Sequence, residues 1–332
     1  MALQIETVAM FEKMRSRCVD LKNKRVLVSN LMLSDQVSDL TVPPNCGGIG
    51  RVRHFRNSPG DRWPSNPLPR MPAEKWLKKQ LPEPLRAQVF QLAGCAWRCW
   101  YCFVPFADLR GHESRAVWIT AQQLVDLYLA ECDHPQILDL SGGSPDLAPE
   151  WIAWTMDAIE ARGVTQSVYL WSDDNLSSDR ICSSENRWLL NRLEKFPGYG
   201  KVCCIKGFDR QSFSFNTGSK SEGFDEQLEI LERYAKTNLD LYGYITLTGR
   251  KSSDLHGHIC RLMDRIEAAR AGLLSRIVPL RISKFGPMVE RLTEIRDEAL
   301  QYQWEVADLW FEELNARRIC PMWNSFEKFF AL

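Results

Sequence analysis

The chain has 332 residues, 45% of them hydrophobic, and carries 42 basic against 42 acidic side chains for a formal net charge of zero. That much apolar material fills one α/β barrel or two ordinary domains, and the charge balance argues against a protein that coats nucleic acid through a basic surface. No apolar run approaches the ~20 residues needed to cross a bilayer, and the amphipathic N-terminus MALQIETVAMFEKMRSRC lacks the apolar block of a secretory signal, so a cytoplasmic chain with reduced cysteines and no membrane partner is expected.

Residues 1–85 read as an N-terminal extension. Within it, 43–85 (PPNCGGIG, NSPGDRWPSNPLPRMP) is rich in proline, glycine and arginine, without sustained periodicity, and reads as an irregular, extended segment. RVRHFR (51–56) is a short basic–aromatic cluster, read as a solvated strand or loop. It is the one feature that invites a nucleic-acid partner.

From Arg86 the pattern changes. Strands are predicted at 87–94, 136–143, 167–174, 201–208, 241–249 and 276–283, and helices between them at 120–132, 149–162, 185–195, 223–236 and 254–271. APEWIAWTMDAIEARG, for example, sets Trp151, Trp154 or Thr155, and Ala158 along one face, with Gly163 as the stop. Strands that alternate with helices pair in parallel through right-handed crossovers. Six such units make an incomplete barrel. The expected fold is therefore α/β, a partial (β/α)6 barrel over 86–285. A helical C-terminal extension, 286–332, follows, with an aromatic tail (WNSFEKFFAL) packed on the barrel.

In such a barrel, function collects at the C-terminal edge of the sheet. The cysteines of GCAWRCWYC (94–102) begin directly after the first strand, and the glycines of SGGSP (141–145) follow the second. Thiolates are the usual ligands of iron–sulfur clusters. Cys95, Cys99 and Cys102 suit three irons of a [4Fe–4S] cube and leave the fourth open to a small molecule, much as a catalytic zinc keeps one position free. Gly94 lets the chain turn as it leaves the strand. Two other readings stand beside this one: a structural zinc site completed by His112, and inert buried thiols.

Cys95-x3-Cys99-x-Tyr101-Cys102 resembles the CxxxCxΦC signature of the radical SAM enzymes, and the resemblance extends over about residues 86–285, including the strand–helix order. It implies that the open iron chelates the amino and carboxylate groups of S-adenosylmethionine (SAM). An electron from a donor such as flavodoxin or ferredoxin then breaks the C–S bond, and a 5′-deoxyadenosyl radical takes a hydrogen atom from substrate. Tyr101 falls in the aromatic position of the signature and is counted with the cofactor site. Ser141, Gly142, Gly143 and Ser144 occupy the place of the family's GGE-type motif, which binds the SAM amino group, with Ser144 where an acid is usual. Ser172 and Asp173, in the run Trp171–Asn175 at the end of strand three, suit the ribose hydroxyls or the SAM carboxylate. By resemblance to glycyl-radical-enzyme activases, Lys206 contacts that carboxylate, although Cys204 stands where those enzymes carry an acid.

Thr246, Thr248, Arg281 and Ser283 are candidates by position on strands five and six, Arg281 as a bidentate anion holder. Gly243-x-Ile245 resembles the start of the family's GxIxGxxE motif. With no second CxxC or CxxxC group, no auxiliary cluster is expected; Cys46 and Cys320 are the two further thiols to check. The function expected is hydrogen-atom abstraction from a small molecule or peptide. Trp63, Arg53, Arg56 and Arg62, in a segment placed to cover the open barrel face, suit an anionic or aromatic substrate. The alternatives are a glycyl-radical-enzyme activase acting on a protein partner and a non-catalytic relative.

Overall fold

The computed structural model describes residues 4–36, 40–55 and 63–325; Arg56, Arg62 and most of the aromatic tail lie outside them. The chain opens with α1 (Thr7–Cys18), a hairpin of β1 (Val19–Asp20) and β2 (Arg25–Ser29), strand β3 (Gly50–Phe55) and helix α2 (Arg70–Leu77). The predicted alternation follows: β4 (Leu85–Phe90), β5 (Ala116–Thr120), α3 (Ala121–Ala130), β6 (Ile137–Leu140), α4 (Pro149–Ala161), β7 (Tyr169–Asp174), α5 (Arg187–Lys195), β8 (Tyr199–Ile205), α6 (Arg210–Thr217), α7 (Gly223–Ala235), β9 (Leu241–Thr246), α8 (Leu255–Ala269) and β10 (Ile277–Leu280). A short α9 (Gly286–Val289) and the long α10 (Glu294–Ala316) close the chain.

The main sheet runs β10-β9-β8-β7-β6-β4-β3 among the described residues. Its six strands from β4 to β10 pair in parallel in chain order, which is the partial (β/α)6 barrel expected. Crossover helices are where the apolar periodicity puts them. Helix α6 was not foreseen: its sequence, RQSFSFNT, has no apolar stripe, and the helix is started by a capping box in which the Asp209 carboxylate accepts from the Ser212 amide at 2.6 Å. Helix α4 was predicted to bury one face, yet Trp151 through Met156, with Ala158 and Ile159, are all buried, because it lies between α3 and α5 on the sheet. Arg15 of α1 clamps its first turn through a buried bidentate pair with Glu150, at 2.9 and 2.7 Å.

The N-terminal segment holds more order than its composition predicts. Residues 51–55 of the RVRHFR cluster are a strand, but not a solvated one: β3 pairs antiparallel with β4, from Gly50↔Phe90 to Phe55↔Leu85, and Arg51 is buried. Residues 63–68 then reach towards the far edge of the sheet. Trp63 donates its indole N–H to the Pro279 carbonyl of β10 (3.1 Å), and Asn66 donates to the Tyr244 hydroxyl of β9 (3.1 Å). These bonds join parts of the chain far apart in sequence, so no local period announces them. A second sheet, β1-β2-β5, is antiparallel and braces the exit of β4, where Ala93 N–H donates to Leu27 O and Ser29 N–H to Gln91 O.

Cross-strand partners share a face of the sheet, which sorts the strands into two layers. Arg51, Val89, Asp139, Trp171 and Gly200 form one row on the concave side. A Cβ on Gly200 would lie 2.7 Å from the Trp171 ring, so glycine there makes room for the indole. On the convex side, Lys201 and Asp174 form a fully buried ion pair at 2.7 Å, with the Tyr234 hydroxyl 3.2 Å from the same carboxylate. Burial pushes Asp174 up to about 6 against the pull of Lys201. A buried charge left alone is costly, whereas apolar residues replace a complete pair with little loss. Lys201→Met is therefore expected to cost about 3–5 kcal/mol in urea unfolding, and Lys201→Met with Asp174→Leu to recover most of it.

Candidate active site

A cavity of about 360 Å³ opens at the C-terminal ends of the parallel strands, a size suited to a small organic ligand. Cys95, Cys99, Cys102 and Tyr101 form one wall, and Ser141, Gly142, Gly143, Asp173 and Asn175 the next. Cys204, Lys206, Tyr244, Thr246, Arg281 and Ser283 complete it on the far side, with Arg53 entering from β3.

The cysteine loop has no regular structure, and neighbouring elements hold it in place. Arg98 N–H donates to Thr217 O and Trp100 N–H to Asn216 O, both at 3.1 Å, while the Trp100 indole donates to the Asn216 side chain at 3.2 Å. Asn216 in turn donates to Lys206 O (2.8 Å) and Thr248 O (2.9 Å), tying the loop to the ends of β8 and β9. Arg98 caps the Cys95 and Trp97 carbonyls at 2.8 and 2.7 Å, and Arg291 caps Cys102 and Val104 at 2.7 and 3.0 Å. Gly94 is required by packing: a Cβ there would sit 2.6 Å from Cys18 Sγ.

The spacing of the three sulfurs bears on what they hold. A single tetrahedral ion with bonds of about 2.3 Å draws its thiolates to within about 4 Å of one another. Among the described residues, the group of possible ligands gathered within 4.8 Å is His256, Cys260 and Glu313, on the outer faces of α8 and α10, and not the loop cysteines. His112, the residue proposed to complete a zinc site, bonds instead to Ser114 at 2.7 Å. Burial raises all three thiols, Cys99 to about 12, so loading metal here displaces protons. Lys206 sits among them; burial alone would lower its pKa, but Cys204, Tyr101, Cys99 and Cys95 push it above the ordinary lysine value.

The SGGSP turn packs against the first loop. Leu92 N–H donates to Gly142 O (3.2 Å) and Ser144 N–H to Gly94 O (2.9 Å). Gly142 and Gly143 have φ of 89° and 67°, and a Cβ on Gly143 would lie 2.1 Å from the Leu92 carbonyl. Positive φ and this backbone contact, rather than the approach of a ligand alone, require glycine here.

The remaining predicted residues divide. Asp173 lines the cavity and accepts from the Ser141 hydroxyl at 2.5 Å; Tyr101 lines it and donates to Thr246 at 3.2 Å. Arg281 lines it with its guanidinium 4.7 Å above the Trp304 ring. Ser144 is buried behind the turn, donating to Asp146 at 2.7 Å, and Ser172 faces the convex side, bonded to Tyr199 at 2.8 Å; neither lines the cavity. Thr248 donates to Asn216 at 3.0 Å. Asn175 is better placed than Ser144 or Ser172: its amide donates to Ser144 Oγ (2.9 Å) and Gly143 O (3.3 Å) and lies 3.9 Å from Cys95 Sγ. Arg51 and Asp139 also face this interior, and nothing in their sequence neighbourhood signals it. Cys46 is a buried thiol raised to about 12 by burial and by Glu131, whose carboxylate accepts its backbone N–H; Cys320 is exposed.

No protein-family model matches the chain, and no curated protein is similar to it. Among solved structures it is similar to SuiB from Streptococcus suis. For SuiB bound to S-adenosylmethionine, the two share 13% identity over 68% of this chain and 46% of SuiB, with a TM-score of 0.44. For SuiB bound to its precursor peptide SuiA, they share 14% identity over 69% and 46%, with a TM-score of 0.47. The chain thus spans less than half the length of SuiB. Likeness this distant says nothing about chemistry; the residues of the cavity do. Among the described residues no helix is long and apolar enough to cross a membrane.

Gly143→Ala tests the junction of the two loops. The left-handed backbone alone costs about 1–3 kcal/mol for a non-glycine residue, and the clash with a backbone carbonyl adds to it. A loss of roughly 3 kcal/mol or more is expected in denaturant unfolding, whereas Gly163→Ala, at similar φ but with open space around its Cβ, should cost only the backbone part.

Proposed function

We propose that the protein is a radical SAM enzyme in which Cys95, Cys99 and Cys102 hold a [4Fe–4S] cluster and the adjoining cavity takes S-adenosylmethionine beside an organic small-molecule or peptide substrate. The single observation that carries this reading is that Cys95, Cys99 and Cys102 line one cavity together with Lys206 and the glycines of the SGGSP turn. When bound, the cluster and S-adenosylmethionine supply a 5′-deoxyadenosyl radical that takes a hydrogen atom from substrate.

The chain's own residues position and shield. Lys206, surrounded by sulfur and phenol, is the cation for the SAM carboxylate and for the net negative charge of thiolate-bound cluster. Asp173, held by the Ser141 hydroxyl beside Gly142 and Gly143, presents an acceptor for an ammonium or for ribose hydroxyls. Asn175 Nδ2–H points towards Cys95 Sγ, placed to tune a sulfur ligand by hydrogen bonding. Tyr101 and Trp97, buried around the loop, exclude water from the reacting centre. An electron must come from outside, from a donor of the flavodoxin or ferredoxin class. No observation favours the activase alternative: at the position where those enzymes carry an acid, Cys204 lines the cavity.

Anaerobically purified protein is expected to be brown, to carry about four irons and four sulfides per chain, and to form 5′-deoxyadenosine from S-adenosylmethionine under dithionite. Cys95→Ala, Cys99→Ala and Cys102→Ala should each lose the colour and the product, while Cys204→Ala keeps its iron. Colourless protein with zinc at the loop would overturn the reading. Lys206→Met is expected to raise the KM for S-adenosylmethionine about ten-fold or more, the effect of removing a charge-assisted contact.

A further inference from the structure

We infer that the substrate carries an anionic group, a carboxylate or a phosphate, and that Arg51 and Arg53 hold it inside the barrel. The inference rests on the radical-enzyme reading, and it names the substrate class that reading leaves open.

Strand β3 is an antiparallel addition to the six parallel strands, and its alternation turns Arg51 and Arg53 to the concave side together. Arg53 lines the cavity. Arg51, only 6% exposed, lies below it with its guanidinium 5.1 Å above the ring of Phe103, the cavity residue that follows Cys102. That contact places Arg51 close to the cysteine loop. Arg53 is likewise 4.2 Å above Phe55. Stacking on a ring face fixes a guanidinium and leaves its in-plane donors open.

Those donors are unmet on Arg51: its Nε and Nη2 are buried without a hydrogen-bond partner among the described residues. Leaving buried charged donors without a hydrogen bond is costly in a protein interior, and a bidentate oxyanion is the shape that relieves it. The charges of Asp139 and Asp173 favour the Arg51 cation, but neither acid hydrogen-bonds to its Nε or Nη2. Asp173 is engaged by Ser141. Asp139 shares the row of Arg51, yet neither of its carboxylate oxygens has a hydrogen-bond partner among the described residues. Burial first, and then the charge of Asp173, pushes Asp139 well above the ordinary carboxylate range. The other cations of the cavity have different neighbours, Lys206 the sulfurs and Arg281 the Trp304 ring.

The test uses cluster-loaded protein saturated with S-adenosylmethionine, so that the cofactor part of the cavity is filled. Equilibrium dialysis with radiolabelled inorganic phosphate in one arm and radiolabelled succinate in the other separates the two anion chemistries. One of the two is expected to bind at about one per chain, and Arg51→Gln and Arg53→Gln each to weaken it about ten-fold or more, as expected for a lost bidentate charged contact. Arg51→Lys, which keeps the charge and loses the fork, should fall between wild type and Arg51→Gln. Crystals soaked in tungstate should show the anion against both guanidinium groups. Binding of neither anion, or binding that both glutamine variants leave unchanged, would overturn the inference; should one variant fail to fold, the other decides. Iron content and 5′-deoxyadenosine formation are scored separately, and their loss would count against the radical reading rather than the anion site.

Discussion

The three thiols lie on a loop outside helix and strand, and much of the architecture around the site holds that loop in place. A buried carbonyl or amide without a partner is costly, and backbone groups of residues 95–104 find partners in side chains and in neighbouring elements as well as within the loop. Two arginines cap its carbonyls, the C-terminal residues of α6 take its amides, and Asn216 links that helix end to strands β8 and β9. The loop is therefore only as rigid as the barrel it reports on. Helix α6, absent from any simple count of crossover helices, owes its place to this work.

The same constraint explains the glycines. Gly94 and Gly143 pack two strand-to-helix turns so closely that backbone meets backbone or a buried thiol. The contact fixes the cysteine loop relative to the floor on which a cofactor would rest. Position, rather than reactivity, is what the protein would supply to the proposed radical reaction.

Charge is partitioned by the sheet. On the convex side Lys201 and Asp174 satisfy one another, a closed pair that adds rigidity and offers nothing to a ligand. On the concave side cations and acids have separate settings: Lys206 among sulfurs, Asp173 on a hydroxyl, and Arg51 on the Phe103 ring with Nε and Nη2 lacking a hydrogen bond among the described residues. Strand alternation alone decides which side a residue serves, so Ser172 and Asp173, adjacent in sequence, end in different environments.

The sequence by itself determined the barrel and the sulfur triad. Period-2 and period-3.6 apolar patterns are local, so strands β4 and β6 to β10 and helices α3, α4, α5, α7 and α8 were legible within a few residues, and the clustering of Cys95, Cys99 and Cys102 directly after a strand marked the wall of the cavity. Only the tertiary structure decided what depends on contacts between distant segments. It put β3 into the main sheet, turned Arg51 inward, ran residues 63–68 to β9 and β10, hid Ser144 behind its turn and brought Asn175 to the cysteine loop. None of these leaves a local signature, because each is fixed by a partner lying tens to hundreds of residues away.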